Sequence, residues 1–354
     1  MPETKPALSA STVTKAGRTT FFATLARWGV AVILVGVLVN LAMAFRSLRS
    51  DTFDLVATLA PGWLLVAALL GLLPVLFHAV RIRLWSGFLG APTNLRGALR
   101  ASFGTELGAA VSPKAIGGAP VKIALLIESG QNAGTAASIT LLNNLEDAVL
   151  FSLLMPIAAF LTRSWQIPQV QTAISGVAAK LSGSLPWLVG VVALVVVLVL
   201  LRRRTKRTAT PGDHPRGRLA TALSGIRADF LSAWALIGQR GKLRFALAVS
   251  LTSVQWACRW SVATAVMLGL GIAVDPVLFV LLQWVVFTMM VFVPTPGAAL
   301  GAEASFAAVL GAFIPAGLVG LVGAAWRFLT FYLVLVIGLG ALPLLAPRRT
   351  SATS

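Results

Sequence analysis

The feature that most constrains the fold is a break inside a long apolar segment, between residues 293 and 303. The break contains Pro294, Pro296, Gly297 and Gly301, and the acidic residue Glu303 follows it. In hydrocarbon, irregular backbone is tolerated only where it is buried in protein or lines a wet cavity. An ionisable side chain in such surroundings indicates a functional site. The stretch therefore predicts a polar protein interior within a membrane.

Composition gives the broad class. The 354 residues are 57% hydrophobic and 11% charged, which is typical of an all-α polytopic membrane protein and not of a soluble domain. The net charge of +18 falls in the connections between apolar runs, which favours membrane orientation and anionic headgroups over a nucleic-acid partner. One cysteine and two histidines exclude a disulfide framework and a His-rich metal site, and no cofactor is predicted.

The apolar runs predict where the chain crosses the membrane. Arg81 and Trp85, at the end of the second run, are interpreted as an interface anchor. The basic start of the chain resembles a signal peptide, but its length before the apolar core favours a retained first helix. Full spans are predicted over residues 28–45, 61–84, 135–161, 185–201, 243–271 and 316–345, with an amphipathic surface helix over 219–238.

A second broken segment, residues 102–130, matches the first in spacing. Pro113 precedes Gly118 by five residues, as Pro296 precedes Gly301. Neither arm of this segment reaches the roughly 20 residues of a full span, so a re-entrant hairpin is the better interpretation. Thirty residues beyond each proline lie polar groups, at Asn143 and at Trp326 next to Arg327.

The matching order predicts an inverted repeat of about six full spans and two re-entrant hairpins; the alternative has about seven or eight full spans. The basic loop and both termini are assigned to the cytoplasm. The predicted organisation is a tail over 1–26, a first membrane repeat over 27–201, a basic loop with an amphipathic segment over 202–242, the rest of the second repeat over 243–346, and a tail over 347–354.

Several charged residues fall in or close to apolar segments. The acidic ones are Glu106, Glu128, Glu146, Asp147 and Glu303, and Arg259 and Arg327 are the expected cationic counterparts. Two interpretations stay open: ion pairs that only fix the bundle, or a hydrated cavity that binds a polar headgroup. On the second, the candidate substrate-binding residues are Glu146, Asp147, Glu303, Arg327, Arg259, Asn143 and Asn144, with Glu303 sharing one site with Glu146, Asp147 and Arg327.

The broken backbone offers a second kind of site, in which free N–H groups hold an anion such as a phosphate. Its candidate residues are Pro113, Lys114, Gly117, Gly118, Lys122, Pro294, Pro296, Gly297 and Gly301. The alternatives are simple kinks, lysines that only snorkel to the interface, and a Glu303 that caps its own hairpin. Glu128 is also compatible with an interface position. No catalytic residue or metal site is predicted, because serine-hydrolase, phosphate-loop and HExxH patterns are all missing.

Taken in order, these motifs resemble the lysylphosphatidylglycerol synthase transmembrane, or flippase-like, family. The resemblance rests on Ser112-Pro113 with Gly117-Gly118, Pro120 and Lys122, on Asn144-Leu145-Glu146-Asp147, on Pro294-Thr295-Pro296-Gly297 with Gly301 and Glu303, and on Trp326-Arg327 with Tyr332 and Gly338. Together these motifs cover residues 25–345. Ala298 stands where a second glycine is typical, and Asn144 where an arginine is typical.

The resemblance implies translocation of a polar or charged lipid, anionic or carrier, between leaflets of a bacterial plasma membrane. No aminoacyl-transferase domain is expected, and so no lysyl-phosphatidylglycerol synthesis. The alternatives are a membrane enzyme acting on a lipid-linked substrate and a structural membrane protein. The lipid, the direction of transport and the oligomeric state are not predicted. The carboxylates are compatible with proton coupling, but no histidine relay is apparent in the sequence.

Overall fold

The computed structural model describes residues 59–112, 116–166, 238–290 and 299–346, with scattered helical positions between 27 and 42, between 168 and 175, and at 234–235. Regular structure in these residues is entirely helical, which confirms the predicted all-α class. The helices are α1 (Pro61–Phe88), α2 (Leu95–Ala110), α3 (Gly118–Glu128), α4 (Ala133–Leu161), α5 (Lys242–Gly269), α6 (Pro276–Met290), α7 (Ala299–Leu310) and α8 (Val319–Leu344). Of these, α1, α4 and α8 are long and apolar enough to cross a membrane.

Several predicted features lie outside the described residues. They are most of the first span, the span at 185–201, the basic loop, the amphipathic segment, both tails, and the prolines and neighbours at the two breaks, namely Pro113, Lys114, Pro294, Pro296 and Gly297.

Local sequence signals set the helix ends. Pro61 begins α1, where its missing N–H is not needed. The Asn94 side chain accepts a hydrogen bond from Gly97 N (2.7 Å) at the start of α2, and Asn132 accepts one from Thr135 N (2.7 Å) at the start of α4. Gly130, between α3 and α4, adopts a φ of 96°, which favours glycine. Residues 133 and 161 bound α4 close to the predicted span.

The described helices form two series in the same order. Helices α1 and α5 each have 28 residues. A pair of short helices follows each: α2 and α3 have 16 and 11 residues, and α6 and α7 have 15 and 12. The long helix after each pair contains one π-helical turn, at Leu150–Leu154 in α4 and at Phe328–Tyr332 in α8.

Helices α1 and α5 pack along each other and run in opposite directions. Ala60 N, at the start of α1, donates to Gly269 O, at the end of α5 (3.0 Å). At the other end, the Arg244 guanidinium of α5 lies 4.5 Å from the centre of the Phe88 ring of α1. The corresponding long helices of the two series are therefore antiparallel.

Each pair of short helices forms a packed hairpin. In the first hairpin, Gly104 of α2 faces Leu125 of α3, and Gly108 of α2 faces Gly117, which directly precedes α3. Neither glycine leaves room for a larger side chain. In the second, the rings of Phe279 at the start of α6 and Phe313 beyond the end of α7 lie 6.2 Å apart. The two arms of the first hairpin, with 16 and 11 residues, are shorter than the roughly 20 residues of a full span.

The outer surface of α1 is apolar while its inner surface carries charge. Leu65, Leu69 and Leu76 are 63%, 53% and 43% exposed, as expected of a lipid-facing stripe. Arg81 and Trp85, in contrast, are fully buried. The predicted interface anchor at these two residues is therefore wrong, because they lie on the face of α1 that packs against α4 and α5.

Candidate functional site

Arg81 is the centre of a buried polar cluster formed by α1, α3, α4 and α5. Its Nε lies 2.5 Å from Glu146 Oε2, and its Nη1 donates to Gln255 Oε1 at 2.9 Å. Its Nη2 donates to the carbonyl oxygen of Asn143 at 2.8 Å. A buried guanidinium is stable only when its charge is paired and its donors are satisfied, and Arg81 meets both conditions.

Glu146 is the fully buried anion of this Arg81 cluster. Besides Arg81, it accepts hydrogen bonds from the Trp85 indole N–H, from Asn143 Nδ2 at 3.3 Å and from Thr252 Oγ1 at 3.4 Å. Glu146 lies near the midpoint of α4, a helix long enough to span a membrane. The sequence assigned Arg259 and Arg327 as cationic counterparts for the acidic residues, whereas the structure pairs Glu146 with Arg81.

Helix geometry decides which polar residues of α4 join the cluster. Asn143, Glu146 and Asp147 are three and four residues apart, so they lie on one face. Asn144 is exposed and lies on the other side of the helix with Leu145, which is 40% exposed. The structure thus brings three of the four predicted polar residues of this segment together and leaves Asn144 apart.

Lys122 of α3 is inside the cluster and does not snorkel. It is 2% exposed, and its Nζ lies 2.7 Å from His78 Nε2 and donates to Asn143 Oδ1 at 2.7 Å. The interpretation of Lys122 as an interface lysine is therefore wrong. Packing of α3 against α4 holds the ammonium group beside Asn143 and away from the hairpin tip.

Asp147 is the member of the cluster that is most open to the surroundings. Its side chain is 35% exposed. Its Oδ1 lies 3.2 Å from Arg81 Nη1 and accepts a hydrogen bond from Trp256 Nε1, also at 3.2 Å. The buried cluster therefore continues to an accessible carboxylate.

A second ion pair joins the first hairpin to α5. Arg259 Nη2 donates to Glu106 Oε1 at 2.8 Å, and the two side chains are 12% and 23% exposed. The Arg259 guanidinium also lies 5.6 Å from the centre of the Trp256 ring, within the range of a cation–π contact. Since Trp256 also donates to Asp147, this pair and the Arg81 cluster share a neighbour.

A third ion pair joins the second hairpin to α8. Arg327 Nε lies 3.8 Å from Glu303 Oε1, and the side chains are 3% and 10% exposed. The Arg327 guanidinium covers the Phe331 ring at 4.0 Å. The sequence placed Glu303 and Arg327 together in one site with Glu146 and Asp147. The structure places Glu303 beside Arg327, whereas Glu146 and Asp147 are paired with Arg81.

The charged groups of the two halves are nevertheless within electrostatic reach of one another. Arg259 of α5 acts electrostatically on both His78, beside the Arg81 cluster, and Arg327, in the third pair. A row of aromatic rings also runs from α5 through α6 to α8. The ring centres of Trp256 and Phe287 are 5.5 Å apart, and those of Phe287 and Trp326 are 5.9 Å apart. Arg259 and this row connect the polar groups of both halves through the interior.

Some buried polar atoms along this interior have no hydrogen-bond partner. Gln283 of α6 is fully buried, and neither its amide oxygen nor its amide nitrogen is bonded. The indole nitrogens of Trp260 and Trp326 are also unbonded. An unsatisfied buried polar group costs about 1–3 kcal/mol, so these atoms mark places where a ligand or water has something to bind.

The described glycines of the two breaks differ in their surroundings. Gly117 N donates to the Ser112 hydroxyl at 2.7 Å, so this N–H is already satisfied. Gly118 is the first residue of α3, and Gly301 is buried within α7. In the part of the chain that the structure describes, no group of three or more His, Cys, Asp or Glu residues is arranged to hold a metal ion.

The sequence interpretation missed part of the site. His78, Arg81 and Trp85 were not recognised as one inward face of α1, although their spacing of three and four residues places them there. Thr252, Gln255 and Arg259 have a similar spacing on α5. Polar residues at helical spacing inside an apolar run were the available signal. Glu128 was assigned to the interface, whereas its side chain is 14% exposed and its Oε2 lies 2.6 Å from Arg100 Nη1.

Comparison with known proteins agrees with this architecture. The chain is 23% identical, over 327 residues, to a UPF0104 membrane protein of Archaeoglobus fulgidus, an alignment that covers 86% of this chain and 94% of the relative. The family model for the lysylphosphatidylglycerol synthase TM region matches residues 26–338, a range that includes Arg81, Glu146, Arg259, Glu303 and Arg327. The chain is therefore a membrane protein that belongs to the lysylphosphatidylglycerol synthase transmembrane-region family.

Proposed function

We propose that the protein moves the polar headgroup of a lipid between the two leaflets of a membrane, and that it performs no covalent chemistry. The observation that carries this proposal is the set of charged side chains inside the helix bundle. These side chains form three ion pairs: Arg81–Glu146 within the first half, Arg327–Glu303 within the second, and Arg259–Glu106 between the halves. Charges within a membrane are costly, and they accompany substrate or ion pathways more often than purely structural roles.

The helix arrangement supports transport by alternating access. The two series have the same order of elements, and their first long helices, α1 and α5, run antiparallel. That is the relation expected of an inverted repeat, an architecture in which substrate sites lie near the membrane midplane between the two halves. In this proposal the two hairpins enter from opposite sides and the repeat closes around the Arg259 region.

The partly exposed carboxylates and arginines suggest how a headgroup is held. Asp147, Glu106 and Arg259 have side chains 35%, 23% and 12% exposed, so they are accessible while their neighbours are buried. An arginine fork suits the phosphate of a lipid. The carboxylates offer partners for a cationic or hydroxyl group, and the acyl chains stay in the bilayer. The proposed substrates are membrane lipids, anionic or carrier, in a bacterial plasma membrane with both termini in the cytoplasm.

The test is leaflet exchange in reconstituted vesicles. The purified protein is inserted into vesicles whose outer leaflet carries a fluorescent lipid, and protection from a membrane-impermeant quencher is followed over time. A panel of anionic, zwitterionic, cationic and polyprenyl-phosphate lipids is compared with protein-free vesicles. The proposal expects faster exchange for at least one headgroup class. Exchange equal to that of empty vesicles across the whole panel overturns it.

A further inference from the structure

The interior contains a pair of bases that none of the three ion pairs uses. His78 Nε2 of α1 and Lys122 Nζ of α3 are 2.7 Å apart, a hydrogen-bond distance. A lysine ammonium has only donors, and a protonated imidazole also has only donors. A contact this short therefore requires that one of the two facing nitrogens has a free lone pair that accepts the hydrogen bond. Two bases here share one proton.

The surroundings of the pair connect it to the charged cluster. Lys122 also donates to Asn143 Oδ1, Asn143 Nδ2 donates to Glu146 Oε2, and Glu146 is paired with Arg81. The groups that act electrostatically on the pair are Arg81 of α1, Arg259 of α5, and Glu146 and Asp147 of α4, with the Asn143 amide as a polar neighbour.

Only the two ends of this chain of groups are open. His78 is partly exposed and the Asp147 side chain is 35% exposed, whereas Lys122, Asn143, Glu146 and Arg81 between them are buried. A proton that reaches His78 thus enters a sealed polar interior. The unprotonated facing nitrogen accepts it, and the pair then holds two protons and one additional positive charge.

The proton count on the pair sets the net charge of the interior. With one shared proton, the cations Arg81 and the pair balance Glu146 and Asp147. A second proton gives an excess of one positive charge, and loss of the shared proton gives an excess of one negative charge. Arg81 and Lys122 both bond to Asn143, and like charges this close in the chain of contacts repel each other at low dielectric. A change in proton number therefore changes how well the interior holds an anionic headgroup.

We infer that His78 and Lys122 form a proton-binding site and that lipid movement is coupled to its protonation. The coupling rests on the proposed function, whereas proton binding by the pair does not. In each cycle the facing nitrogen gains a proton from one side of the membrane and releases it to the other. No bond other than N–H is formed or broken.

Proton binding is tested without any transport assay. The chain has two histidines, His78 and His214, so H214Q leaves His78 as the single ¹⁵N-histidine signal. Its ring nitrogens are followed by NMR between about pH 5 and about pH 9, in H214Q and in H214Q with Lys122→Met. We expect a protonation change whose midpoint differs by more than about one pH unit between the two. An imidazole that titrates identically in both, or in neither, overturns the site.

Coupling is tested in the vesicles by imposing a pH gradient. If one proton accompanies each lipid, a gradient of one pH unit shifts the final ratio of labelled lipid between leaflets about tenfold. His78→Gln keeps an acceptor for Lys122 and cannot titrate, so we expect the labelled lipid in this variant to reach the same final ratio between leaflets with and without the gradient, whatever its rate. Exchange in the parent that ends at equal distribution under a gradient overturns coupling and leaves the proposed function intact. Absence of exchange overturns the function instead, and the NMR result still decides the proton site.

Discussion

The two halves of the molecule hold their buried charges in different ways. In the first half, Arg81 lies 2.5 Å from Glu146, and both groups have several additional partners on three helices. In the second half, the distance from Arg327 Nε to Glu303 Oε1 is 3.8 Å, and the amide of Gln283 has no hydrogen-bond partner among the described residues. The same order of helices thus supports one closely bonded polar cluster and one more widely spaced ion pair.

This difference suggests a division of roles. A saturated cluster resists rearrangement, because each group that moves leaves a buried partner unsatisfied. A pair at 3.8 Å loses less direct attraction than a pair at 2.5 Å when a headgroup comes between its members. We therefore assign structural anchoring to the Arg81–Glu146 pair, and we expect Arg327 and Glu303 to separate when a headgroup passes. The following predictions test that assignment.

The largest effect on stability is expected from Glu146→Gln. Removing the anion leaves the fully buried Arg81 without its closest partner, and breaking a buried pair costs about 3–5 kcal/mol. The free energy of unfolding in mixed detergent micelles measures this loss. The double variant R81M/E146L removes both charges and should recover a large part of it. A loss below about 1 kcal/mol for E146Q would contradict the anchoring role.

The next effect is at the contact between the halves. Gly71 of α1 faces the backbone of Leu329, in the π-helical turn of α8, with no room for a Cβ atom. Gly71→Ala should destabilise the protein by about 1–3 kcal/mol because the two helices must separate. Gly87→Ala, in the same helix with nothing near the added atom, should be neutral or stabilising by up to about 1 kcal/mol. Equal unfolding free energies for the two variants would show that this contact is not tight.

Two buried glutamines, one in each half, give a matched pair of smaller effects. Gln255 accepts a hydrogen bond from Arg81, so Gln255→Leu should cost about 1–3 kcal/mol. Gln283 has no partner, so Gln283→Leu should be neutral or stabilising by about 1 kcal/mol. The free energies of unfolding of the two variants are compared. If both substitutions destabilise the protein equally, the Gln283 amide is as well hydrogen-bonded as that of Gln255.

The smallest effect on stability is expected from Asp147→Asn. Its side chain is 35% exposed, and the amide oxygen of asparagine still accepts from Arg81 and Trp256. Ion pairs that reach solvent contribute only about 0–1 kcal/mol. Asp147 and Glu146 are adjacent in α4, so the difference between the unfolding free energies of D147N and E146Q measures the effect of burial. A loss as large as that of E146Q would mean that Asp147 is sealed from its surroundings.

The sequence predicted where helices lie, but it did not predict which buried side chains pair with one another. Long apolar runs and Pro61 predicted the start of α1 and the approximate bounds of α4, because these signals are local. The pairing of Arg81 with Glu146 depends on how α1 rotates against α4, which no local pattern fixes. Arg81 was consequently interpreted as an interface residue, because it lies close to the end of an apolar run.

The hairpins show the same limit. Proline and glycine spacing predicted two broken segments, and the structure contains two packed pairs of short helices there. The spacing did not predict that the Ser112 hydroxyl accepts a hydrogen bond from Gly117 N, since that contact forms only when the hairpin closes. The position of Lys122 beside His78 likewise depends on tertiary packing between α1 and α3, and so the histidine was not recognised as part of the site.

Leaflet exchange by the variant Glu303→Gln tests the central claim most directly, because Glu303 is the acid that the broken segment leads to and belongs to the more widely spaced ion pair. Because Arg327 is buried, we expect E303Q to lose stability but to fold with the helix content of the parent, and to exchange the preferred lipid at least about tenfold more slowly, a difference of about 1.4 kcal/mol in the barrier. A folded E303Q protein that exchanges lipid at the parental rate would contradict the proposed role of this pair.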